Sequence, residues 1–141
     1  MSIELFCVDP SANVKIPFYQ MSVSAGVPVP IEPQTATLAI DLNEMLIERP
    51  ASTFFAKITG EELRDAGIFD GDILIIDTSI KPSDGRLVLA VSGENMTVKY
   101  YRNIDGEVFL ESQDAGFFPL KIGSDFSYEI IGTVTRIIHS I

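Results

Sequence analysis

The chain has 141 residues, 46% of them hydrophobic, and 20 Asp and Glu against 10 Lys and Arg give a formal net charge of −10. A length of that order fits one domain that buries about 70% of its unfolded surface without a disulfide or metal staple. Acidic residues spread along the chain repel phosphates and argue against direct nucleic-acid binding, and the single cysteine, Cys7, excludes an intramolecular disulfide and suits a reducing cytoplasm.

The chain opens Met1-Ser-Ile-Glu-Leu-Phe6, without the basic region of a signal peptide. No apolar run approaches the ~20 residues of a membrane-spanning helix, so the expected setting is the cytoplasm, with no membrane partner. Five of the eight prolines (Pro10, Pro17, Pro28, Pro30 and Pro33) fall within the first 33 residues. Proline fixes φ and removes an N–H donor, so residues 1–37 read as an extended arm and not as a helix or a central strand.

Residues 38–141 read as the folded domain. Asp41-Leu-Asn-Glu44 fits a capping box, with Leu42, Met45 and Leu46 on one face of a short helix that Pro50 ends. The remainder is rich in β-branched residues. Strands are predicted over Thr53–Ile58, Asp72–Asp77, Leu87–Val91, Met96–Tyr101, Val108–Glu111 and Tyr128–Ile138. Ser92-Gly-Glu-Asn95 and Asp105-Gly106 supply hairpin turns. Short strands, tight turns and one or two short helices predict a mainly β domain, a folded-over sheet or partial barrel.

The chemical inventory is small. One histidine, His139, stands near the end of the chain and is expected to be solvated, and with one Cys at the opposite end it supports neither a zinc site nor a Cys/His dyad. There is no Walker loop and no GxGxxG, so no cofactor is expected. Glu61, Glu62 and Asp65 share one turn, which reads as a solvated face and not as a metal site.

Several stretches line up in combination. Ser24-Ala-Gly-Val-Pro28 lies in the arm. Phe55-Ala-Lys-Ile-Thr-Gly-Glu-Glu-Leu63 leads into Ala66-Gly-Ile-Phe-Asp-Gly-Asp-Ile-Leu-Ile-Ile-Asp77, and Met96-Thr-Val-Lys-Tyr100 follows. Together they resemble the LexA/UmuD family of self-cleaving serine peptidases, most nearly its UmuD branch, from about Ile16 to Ile138. The resemblance implies that Ala25-Gly26 matches the bond these proteins cut in their own arm. It also implies that Lys99 matches their general base, and that Gly60, Glu61 and Leu63 match three places of a Gly-Asp-Ser-Met turn. The remaining place, the nucleophilic serine, is occupied by Glu62.

A Ser-Lys dyad needs a hydroxyl and a lysine that is neutral when it takes the proton. Glu62 offers no hydroxyl, and a carboxylate beside Lys99 favours the ammonium. The two are therefore expected to form a salt bridge, and the chain to be catalytically silent. Thr59 lies on the strand side of the turn, and Thr97 shares a strand face with Lys99, but no family pattern places either as a substitute nucleophile. By resemblance the chain dimerises and engages an error-prone polymerase subunit and the RecA filament. The repressors' DNA-binding helix-turn-helix is not expected in the proline-rich first segment. The alternatives are an active peptidase with an unconventional nucleophile, or cleavage of this chain in trans by an active relative.

Overall fold

The computed structural model of the chain describes residues 1–9, 11, 15–18, 38–112, 119–123 and 128–141. Two units are distinguished: residues 1–8 with 49–141, and residues 9–48. In the smaller unit β2 (Lys15–Phe18) pairs antiparallel with β3 (Leu38–Asp41). Pro17 is tolerated because each strand of a two-stranded sheet has one side free of ladder bonds. Helix α1 (Leu42–Leu46) follows directly, and its predicted N-cap Asp41 accepts the Asn43 N–H at 2.9 Å.

The larger unit is one antiparallel sheet that curls into a half-barrel, the mainly β architecture expected from the strand pattern. Its strands are β1 (Ser2–Cys7), β4 (Thr53–Thr59), β5 (Ile73–Asp77), β6 (Leu87–Ser92), β7 (Asn95–Ile104), β8 (Glu107–Glu111), β9 (Leu120–Lys121) and β10 (Glu129–Ile138), in the spatial order β1-β4-β5-β10-β6-β7-β8-β9. Both predicted hairpins form. Ser92↔Asn95 closes β6–β7 around Gly93 at φ +60°, and Ile104↔Glu107 closes β7–β8. The latter turn has Asp105 at φ +53° and Gly106 at φ +85°, the two positive values that a two-residue type I′ turn requires.

Each face of the sheet carries a core. On one face Ala56, Ile58, Leu63, Ile68, Leu74, Ile76, Leu89, Val98 and Val134 form a buried cluster, and on the other Val88, Ala90 and Leu110 do. Alternation along β6 explains the split, because Val88 and Ala90 point opposite to Leu89. The C-terminal strand β10 lies between β5 and β6 and carries a bulge against each, between Val134 and Arg136 and between Ile130 and Gly132. β1 pairs with β4 from Ser2↔Thr59 to Cys7↔Phe54, placing the first residues of the chain beside the Gly60 turn.

Candidate functional site

The turn after β4 is shaped by backbone needs. Gly60 sits at φ +113° and donates its N–H to Asp70 Oδ1 at 2.8 Å, and a Cβ added there would strike the Glu62 carboxylate. Leu63 is buried in the first cluster and anchors the turn, and the 3₁₀ turn Arg64–Ala66 ends at Gly67 with φ +79°. Between these fixed points Glu61 pairs with Arg64 at 3.5 Å, while Glu62 projects outward with its side chain 58% exposed. The Met1 ammonium donates to Glu62 Oε1 at 2.8 Å, and that bond holds the Glu62 carboxyl below the ordinary glutamate range.

Lys99 is positioned by the β7–β8 hairpin. The Asp105-Gly106 turn fixes Ile104 opposite Glu107, and the same register sets Tyr100 opposite Glu111. One step further along the ladder stand Lys99 and Ser112, and Lys99 Nζ donates to Ser112 Oγ at 3.2 Å. On its other side Lys99 is paired with the fully buried Val88 of β6. Residues directly opposite one another share a face, so Lys99, Val88 and Ser112 lie on one side of the sheet. Val98 and Tyr100 lie on the other, the side where Leu63 packs.

The salt bridge expected between Glu62 and Lys99 is therefore not formed. Among the described residues the ion-pair partner of Glu62 is the Met1 ammonium, and no ion pair joins it to Lys99. The physical reason is alternation on β7: the lysine leaves the strand on the face opposite the one against which the turn packs. Glu62 and Lys99 both contribute to the lining of one pocket, with Asp65, Glu111 and Ser112. Its volume is about 10 Å³, room for little more than one water. Ala25 and Gly26 lie outside the described residues. No group of three or more metal-ligating side chains occurs among the described residues.

Two features escaped the sequence reading. Ser112 carried no motif, although the hairpin register counted outward from Asp105-Gly106 points to it. His139, expected to be solvated, shares a 2.6 Å hydrogen bond with the buried Asp72 carboxylate and stacks on Phe69 with ring centroids 5.2 Å apart. Asp72 also accepts the Phe69 N–H at 2.8 Å, so His139 ties the end of the chain to the turn before β5.

The half-barrel, the glycine-opened turn and the Thr-Val-Lys strand coincide with a match to the Peptidase S24-like family model over residues 17–135. The chain belongs to the Peptidase S24-like family. Protein MucA of Salmonella typhimurium is 33% identical over 100 residues, covering 70% of this chain and 68% of that protein. Protein SamA of S. typhimurium strain LT2 is 31% identical over 123 residues, covering 87% and 84%. A LexA repressor, from Leifsonia xyli, is 31% identical over 119 residues, covering 84% of this chain and 51% of the repressor. This S24-like chain is thus a homologue of LexA/UmuD-type SOS proteins. Among the described residues no helix is long and apolar enough to cross a membrane.

Proposed function

We propose that this S24-like chain is a UmuD-type protein of the DNA-damage response that does not cut its own arm. In this reading it acts by dimerising and by binding an error-prone polymerase subunit. The observation that carries the reading is Glu62, at the place where the family pattern has its serine. An ionised carboxylate has no hydroxyl proton to give up, so it does not provide the nucleophile of a Ser-Lys dyad. Its bond to the Met1 ammonium lowers its affinity for a proton further. Support for self-association comes from the C-terminal strand, where Ile137 and Ile138 are exposed.

The test is a mass measurement on the full chain, incubated alone at high pH and separately with RecA filament. The intact mass is expected in both. A product cut after Ala25, formed with no other peptidase present, overturns the silent reading. Co-elution of the chain with an error-prone polymerase subunit is expected in gel filtration, and failure to co-elute at micromolar concentration removes the polymerase role while leaving the mass result standing.

A further inference from the structure

We propose that Ser112 and Lys99 form a nucleophile–base pair that takes acyl groups from esters or peptides supplied from solution. This goes beyond the binding role above and does not depend on it. Lys99 Nζ and Ser112 Oγ are 3.2 Å apart, within the reach at which a base takes a hydroxyl proton. The geometry is imposed by the fold and is not a chance meeting of surface side chains. The type I′ turn at Asp105-Gly106 fixes the register, and the register sets the two residues opposite one another on adjacent strands. Both are half-buried, shielded on one side yet open to a reagent on the other.

The surroundings select the substrate class. On the same face, the next rung of the ladder is Tyr101 opposite Leu110, which in turn pairs with Leu120. Leu110 is fully buried, and Tyr101 and Leu120 pack against its cluster. An apolar wall one rung from the hydroxyl suits an acyl group with an apolar chain. Ser112 approaches Lys99 from β8 and not from the Gly60 turn, so a bond presented to the turn is not presented to Ser112.

The chemistry balances with these two groups and water. Neutral Lys99 takes the Ser112 proton as Oγ attacks the carbonyl carbon, and the resulting ammonium returns that proton to the departing alcohol or amine. The acyl-serine ester is then attacked by water, whose proton passes through Lys99 to Ser112 Oγ as the acid is released.

The test uses the full chain and a fluorophosphonate probe, with peptide mapping of the adduct. The wild type is expected to carry the adduct on Ser112, at a rate that rises from about pH 7 to about pH 10 as a lysine loses its proton. Lys99→Arg keeps a cation but cannot give up its proton, and it should slow labelling by about 10²-fold and flatten the pH profile. Ser112→Ala should carry no adduct there, and hydrolysis of p-nitrophenyl hexanoate should fall to the uncatalysed rate in both variants. An unlabelled Ser112 in the wild type overturns the proposal, as does equal labelling of an exposed serine such as Ser83 or a rate indifferent to Lys99→Arg. The first two readouts need no variant, so a variant that fails to fold does not protect the idea.

Discussion

Asp77 is 3% exposed at the end of β5, yet it keeps its charge because four donors converge on it. Ser79 supplies its N–H at 2.8 Å and its hydroxyl at 2.7 Å, Ser52 its hydroxyl at 2.8 Å, and Arg49 a guanidinium N–H at 3.0 Å. Burial by itself pushes the carboxyl up, but the bonds from Ser79, Ser52 and Arg49 outweigh it and bring the pKa to about 2. A folded-state pKa below the unfolded one means that the stabilisation is full above about pH 4 and is lost as pH falls toward 2. The shift corresponds to about 2 kcal/mol. In urea titrations the stability gap between wild type and Asp77→Asn should therefore shrink by about 2 kcal/mol between about pH 5 and about pH 2. Other carboxylates cancel in that difference, and a gap that does not change with pH would refute the account. Glu62 and Lys99 make a second case at this scale. Because their side chains bond to different partners, Glu62→Gln and Lys99→Met should act additively in a double-mutant cycle, whereas a joined pair would show coupling.

Strand β10 shows where local signals end. Gly132 needs no unusual φ, but a Cβ there would meet Ile76 Cγ2 at 2.6 Å and the Asp77 carbonyl oxygen at 3.2 Å, where β10 passes its bulge. The backbone cannot yield freely, since the neighbouring Thr133 is fully buried and donates to the Ile80 carbonyl at 3.1 Å. Gly132→Ala should cost about 1–3 kcal/mol by chemical denaturation, and a neutral result would show that the bulge can relax. Nothing around Gly132 in the sequence announces this, because the clash comes from a strand far away in the chain. The hairpins were legible for the opposite reason, since Ser92-Gly-Glu-Asn95 and Asp105-Gly106 carry their turn chemistry locally. β1 was not legible: Ser2 finds Thr59 across a long separation, and most of its residues are exposed, so no buried face marks it. The site divides in the same way. Lys99 and the Gly60 turn could be read one at a time from motifs, but whether they meet depends on strand alternation relative to a turn packed on one face.

At the scale of the molecule the open question is what covers the outer half of β10. Its ladder with β6 ends at Thr133↔Val88, and beyond that point the strand pairs with β5 alone. Arg86 reaches the Val134 carbonyl at 3.3 Å, and Ile137 and Ile138 are 39% and 36% exposed. A half-paired edge with exposed isoleucines suits a second copy of the same edge across a two-fold axis. Each copy also carries a net charge of −10, so approach is opposed by repulsion that salt screens within about 10 Å at 0.1 M. An apolar interface between like-charged copies should therefore tighten as salt rises from about 50 mM to about 500 mM, whereas one held by ion pairs would loosen. Light scattering at tens of micromolar should give twice the chain mass of 15.5 kDa. Ile138→Glu, which would bury an unpaired carboxylate at the edge, should return the monomer with its β-sheet spectrum intact. A wild type that stays monomeric across this salt range would remove the dimer, and a dimer that survives Ile138→Glu would move the interface away from β10.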